Sequence, residues 1–263
     1  MMVSINKATA TQYGLAIIVS LGSWAAGAWL TWPSIAVTRL LKGEVCCQAT
    51  RSEVSTMVAL MDFGNILSPI PASYLCNKYG RKGILHSTAF IFTLASICVM
   101  TANNIWYLYT ARVLAGLAKG IVFAVIPLYL AEVAEVNIRG RLGTIFAQAG
   151  NLGMSYDYTL GAFLSYQAVN IANIVVPIIF GIGMFFTPES PYYLVMKGKI
   201  KKAQKNLAIY RQLPINNNLL NAEMEVIEKT VEHEMKNKSR FIDVMSTKSR
   251  RRALLIVFLA AAA

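Results

Sequence analysis

Long apolar stretches alternate with short polar islands along this chain, and the alternation stops near residue 188. A helix needs about 20 apolar residues to cross a bilayer. Six stretches approach that length: Gly14–Trp32, Val54–Leu75, Ile84–Thr101, Ile105–Ala131, Leu142–Tyr166 and Asn170–Thr187. Hydrocarbon offers a backbone no hydrogen-bonding partner, so each stretch is expected to be a helix that closes its own bonds. A seventh apolar run starts at Ala253 and reaches Ala263 after eleven residues, too few to span; it reads as the start of a truncated seventh span. The expected fold class is an all-α membrane protein with a six-helix transmembrane bundle.

The segment between Pro188 and Arg252 follows a different pattern. Leu220, Met224, Ile227, Val231 and Met235 recur at spacings of three and four, as do Ile200, Ala203, Leu207 and Tyr210. Each set marks one face of a helix. Pro214 and Asn216-Asn217-Asn218 break the pattern between them. This predicts short helices packed under the bundle; a solvated charged linker is the alternative. The chain then divides into a tail (1–13), the bundle (14–187), a polar helical segment (188–252) and the last run (253–263).

Composition supports a membrane solvent. The 263 residues are 56% hydrophobic and 14% charged, against about 45–50% and about 25% in soluble domains. The net charge of +12 sits beside spans rather than on a soluble face, which argues against a nucleic-acid partner. It fixes orientation instead. The N-terminal tail and the loops after spans two, four and six carry 20 Lys and Arg, and the loops after spans one, three and five carry 3. By the positive-inside rule the N-terminus and the polar segment are cytoplasmic. The sequon at Asn237-Lys238-Ser239 then faces the cytoplasm and stays unmodified. Cys76 and Cys98 fall in or beside spans, and Cys46-Cys47 is a vicinal loop pair; neither arrangement implies a disulfide framework or a metal site. The first apolar stretch is longer than a signal-peptide core and has five more spans behind it.

Four charged residues lie at membrane depth: Asp62, Arg112, Lys119 and Asp157. Charge facing lipid is costly, so these are expected to face the bundle interior, a watery cavity or each other. A purely structural role in internal pairing is the other reading. Gly116 and Gly120, and Gly150, Gly153 and Gly161, suit close helix packing. Pro69, Pro71 and Pro127 interrupt helical hydrogen bonding. His86 and His233 are far apart, and no nucleophile elbow, metal pair or phosphate loop occurs. The residues give no catalytic constellation, no metal ligands and no cofactor.

Five stretches together resemble the sugar porter family of the major facilitator superfamily, in particular its insect facilitated trehalose transporter type. They are Ser73-Tyr74-Leu75-Cys76-Asn77-Lys78-Tyr79-Gly80-Arg81-Lys82; Arg112 with Gly116 and Gly120; Pro127-x-Tyr129-x-x-Glu132 followed by Arg139-Gly140; Leu142-Gly143-Thr144 with Gly153 and Gly161; and Pro188-Glu189-Ser190-Pro191. The resemblance covers roughly residues 14–260 and corresponds to the N-terminal half of a major facilitator bundle. It implies facilitative transport of a hexose or a trehalose-like disaccharide by alternating access, in the cell membrane. It implies a charge network of Arg81, Lys82, Glu132, Arg139 and Glu189, and substrate contacts from Gln148, Asn151 and Trp32. It also implies a partner half of six helices that this sequence lacks, so the 263-residue chain alone is not expected to transport.

Departures from the family pattern stand at Asn77, where an Asp is usual, and at Ser73, where a Gly is usual. The family's sugar-contacting Gln position falls on Ala147, one residue before Gln148, and Asp157 replaces an apolar residue. The first span holds no acid, which points to a passive facilitator rather than a proton-coupled carrier. Transport of another small polar solute, or a truncated non-transporting membrane protein, are the alternatives.

Overall fold

The structure is a computed structural model that describes residues 2–43, 45 and 49–236. The described part is all-helical: α1 (Met2–Leu41), α2 (Arg51–Leu67), α3 (Pro69–Tyr79), α4 (Arg81–Met100), α5 (Ile105–Val133), α6 (Arg139–Phe163), α7 (Tyr166–Phe186), α8 (Pro191–Met196), α9 (Ile200–Arg211) and α10 (Asn218–Lys236). Cys46-Cys47, the Asn237 sequon and the run from Ala253 lie outside the described residues.

Local chemistry sets the helix ends. Thr50 caps α2 in a reciprocal box: its hydroxyl accepts from the Glu53 N–H at 3.3 Å, and Glu53 accepts from the Thr50 N–H at 2.8 Å. Ser165 caps α7 by accepting from the Ala168 N–H at 3.3 Å. This cap moves the boundary between spans five and six: Tyr166 opens α7 instead of closing α6. Span two is two helices, because Pro69 and Pro71 lack the N–H groups that would carry the ladder through. The Asn65 carbonyl that Pro69 leaves free accepts from the Ser68 hydroxyl at 3.4 Å.

Lys7–Leu41 of α1, together with α4, α5 and α7, is long and apolar enough to cross a membrane by length and composition. The α2–α3 pair is interrupted at Ser68, and α6 carries Arg139, Arg141, Gln148, Asn151 and Asp157, which dilute its apolar content. Both still pack into the same core. The most extensive contacts join α1 to α6, α2 to α5, α4 to α5 and α4 to α7.

Two of these seams are backbone-to-backbone. On the α2–α5 seam a side chain on Gly116 would strike the Met61 carbonyl, and one on Gly64 would strike the Val113 carbonyl. On the α1–α6 seam Gly27 faces the Gly150 carbonyl, and Gly153 faces the Trp24 carbonyl. Small residues let helices approach to this distance where the solvent is lipid and hydrophobic burial supplies no drive.

At one end of the bundle α8, α9 and α10 form a second cluster around Leu194, Ala203, Leu207, Leu220, Met224, Ile227 and Val231. The apolar faces read from the spacing lie on α9 and α10, while Ile200 and Met235 at their ends are exposed.

Candidate functional site

Polar groups concentrate in two places: where the α8–α10 layer meets the bundle, and along α1, α6 and α7 inside it.

At the first, Gly80 ends α3 with φ of 91°, a conformation that costs other residues more. Its bare backbone also leaves room for the Glu189 carboxylate. Glu189 Oε1 accepts from the backbone N–H of Arg81 and Lys82, both at 3.1 Å, and from that of Ser190 at 2.9 Å. An anion at a helix N-terminus satisfies amides that have no intrahelical partner. Glu189 is therefore a cap for α4, and it forms no side-chain ion pair among the described residues.

The Arg81 guanidinium turns the other way, to Glu132 on α5. Nη2 lies 2.7 Å and Nε 3.1 Å from Glu132 Oε1. The pair is buried, with side-chain exposures of 9% and 10%, so solvent screens it little. Arg81 Nη1 and Glu132 Oε2 have no partner among the described residues. Arg81 and Glu132 border a hollow of about 440 Å³ with Asn77, Arg139, Tyr192 and Glu234. Arg139 is exposed and forms no ion pair among the described residues. Lys82 donates to the Phe185 carbonyl at 2.7 Å, which places its cation at the C-terminus of α7.

Tyr129 of the Pro127–Glu132 stretch anchors the layer below. Its hydroxyl, the Tyr210 hydroxyl of α9 and the Pro188 carbonyl form a triangle with sides of 2.7, 2.8 and 3.0 Å. Burial pushes the Tyr210 phenol well above its ordinary value. Nearby, Gln12 donates to Glu135 Oε1 at 3.0 Å and accepts from the Glu135 N–H at 3.0 Å. Arg211 pairs with Glu223 at 2.6 Å and donates to the Val133 carbonyl at 2.9 Å. Four segments, α1, α5, α9 and α10, thus share one polar junction.

Inside the bundle Pro33 has no N–H, so the Trp29 carbonyl of α1 loses its helical donor. Arg112 of α5 supplies one: Nη1 donates to that carbonyl at 2.7 Å, Nε donates to the Met57 carbonyl at 3.4 Å, and the cation lies 5.9 Å from the Trp32 ring. Asp157 of α6 is fully buried. It accepts from the Thr31 hydroxyl at 3.2 Å and from the Asn173 amide at 2.7 Å, tying α6 to α1 and α7. Trp32 donates to Asn170 at 2.9 Å.

The structure separates the three residues expected to meet substrate. Trp32 is buried against α7, whereas Gln148 and Asn151 stand on the exposed face of α6. Gln148 borders a hollow of about 330 Å³ with Ser20 and Trp24. The Ser20 hydroxyl and the Trp24 indole N–H are buried without a partner. Asp62 is exposed on α2, Lys119 is half-buried on α5, and neither forms an ion pair among the described residues.

Tyr129–Tyr210, Gln12–Glu135 and Asp157–Asn173 were not assigned as pairs by sequence reasoning. The Tyr129 motif signalled the first residue only. Gln12 and Glu135 are 123 positions apart and carry no local signal.

A family model described as sugar (and other) transporter matches residues 11–263. The High glucose sensor RGT2 of Saccharomyces cerevisiae is 31% identical over 211 residues, covering 77% of this chain and 28% of that protein. The Facilitated trehalose transporter Tret1 of Bombyx mori is 28% identical over 206 residues, covering 78% of this chain and 40% of that protein. Among solved structures, the proton:xylose symporter XylE bound to 6-bromo-6-deoxy-D-glucose superposes with a TM-score of 0.76 at 20% identity, over 88% of this chain and 55% of that one. The inward open conformation of the xylose transporter XylE from E. coli gives 0.71 at 19% identity, over 89% and 58%. The chain spans less than half the length of these curated relatives. With the major facilitator fold in the bundle and the family match across almost every residue, the chain is a membrane protein that belongs to the sugar (and other) transporter family.

Proposed function

We propose that this chain supplies the first six-helix half of a facilitative sugar carrier that works by alternating access. The carrying observation is the match of residues 11–263 to the sugar (and other) transporter family on a bundle with the major facilitator fold. The names of the relatives, which include a high glucose sensor and a facilitated trehalose transporter, support a hexose or a disaccharide. The same reading makes a second six-helix half the partner. It places the N-terminus and the α8–α10 layer on the cytoplasmic side of the cell membrane, and it makes Arg81, Glu132, Arg139 and Glu189 a network that engages that half in one state. Rocking of two halves about a central site requires contacts that form and break at their junction.

The test is uptake of labelled sugars in cells lacking endogenous hexose carriers. The 263-residue chain alone should give no saturable flux. Fusion to the second half of a relative should give flux that unlabelled hexose or disaccharide competes away. Saturable flux from the chain alone refutes the half-carrier reading, and flux competed only by a non-sugar solute refutes the substrate.

A further inference from the structure

The geometry points to a binding site for an anionic phospholipid in the groove between α4 and α7, with its phosphate held by Lys82, Lys199 and Lys202. Two hollows meet there. One, of about 510 Å³, is lined by Tyr79, Lys82, His86, Glu189, Lys199 and Lys202. The other, of about 390 Å³, runs along the bundle past Ala89, Phe90, Thr93, Ile178, Gly181 and Ile182. His86 and Phe185 line both. The surface therefore changes from cationic to apolar along one continuous track that starts at the end of two spans, which matches the order of groups in a phospholipid.

The cations are free to serve. Lys82 gives one N–H to the Phe185 carbonyl and keeps two more donors. Lys199 and Lys202 are exposed and form no ion pair among the described residues. Gly198, with φ of 70°, turns the chain between α8 and α9 and so carries these two lysines back to the first turn of α4. The acid in the hollow, Glu189, turns Oε1 to three backbone amides, so three lysines face one carboxylate there. Below the lysines, Phe90, Ile178 and Ile182 are exposed on the outer face, where an acyl chain covers them. Basic residues beside a span attract anionic headgroups by an amount that grows with each charge. The site requires α4 and α7 to be spans but not that the bundle transports sugar.

The delipidated 263-residue chain in detergent is titrated with dioleoyl phosphatidylglycerol, dioleoyl phosphatidylcholine or glycerol phosphate, and bound species are counted by native mass spectrometry. Phosphatidylglycerol should bind about tenfold more tightly than phosphatidylcholine, and glycerol phosphate should not compete. The Lys199→Gln/Lys202→Gln variant, which keeps only Lys82, should lose most of that preference while keeping its helical content and melting temperature; an undiminished preference overturns the proposal. The control Lys229→Gln/Lys236→Gln, on α10, should keep the preference. Equal binding of both lipids by the unaltered chain overturns the proposal. So does equal loss in the control, which means diffuse charge attraction, or competition by glycerol phosphate, which means an anion site without a lipid groove.

Discussion

The Arg81–Glu132 pair shows how much rests on single residues here. Both side chains are nearly out of solvent, and a charge left alone there is costly. Arg81→Met should therefore lower stability by about 3–5 kcal/mol, while Arg81→Met/Glu132→Leu should recover much of the loss. Denaturant unfolding in detergent measures both, and equal losses would show that the charges are not coupled. Asp157 is a second case. Asp157→Leu strands the Asn173 amide, which now donates at 2.7 Å, at a cost of about 1–3 kcal/mol. Asp157→Asn keeps an acceptor and should melt close to the unaltered chain. The position of Asp157 was legible in the sequence as a charge at membrane depth, but its partners were not, because Thr31 and Asn173 are ordinary polar residues on other helices. Pro33 is similar: its missing N–H is readable from the residue, whereas the arrival of Arg112 at the orphaned carbonyl depends on how α5 packs.

Elements were more legible than partners. An apolar run long enough to span announces a helix whatever it packs against, so α4, α5 and α7 follow from hydropathy. The break at Ser68 follows from Pro69 and Pro71. The α6–α7 boundary did not, since Ser165 and Tyr166 continue the apolar run and only the cap decides. For α9 the buried anchor is Tyr210, whose phenol is held neutral by burial, with its pKa raised above the ordinary value of 10.0. A raised acid pKa means that the unfolded chain gives up its proton first. The stability Tyr210 contributes is thus present below about pH 10 and is lost as pH rises beyond it. The α9 layer should loosen in that alkaline window, seen as faster amide exchange in α9, and Tyr210→Phe should flatten the dependence there. An unchanged alkaline limb in Tyr210→Phe would assign the loosening to other groups.

At the scale of the whole molecule the charge asymmetry of the loops gives the orientation proposed above. Two single cysteines placed in a background without Cys46, Cys47, Cys76 and Cys98 test it. Asn103→Cys, between α4 and α5, should react with an impermeant maleimide on intact cells. Lys201→Cys, on α9, should react only after permeabilisation. The reverse pattern would invert the molecule.

One feature of the fold reaches across all three scales. Helix α1 is 40 residues long, about 60 Å at 1.5 Å per residue, roughly twice the hydrocarbon thickness. Its second half is clamped to α6 at Gly27 and Thr31, and its early turns bind Glu135 and the Tyr210 carbonyl through Gln12. A rod held at one stretch is a lever. Gln12 lies about 25 Å from that clamp at 1.5 Å per residue, so each degree of tilt moves it by about 0.4 Å. A change of angle inside the membrane would then arrive at the α5–α9 junction as a sideways pull, with no ligand needing to reach that far.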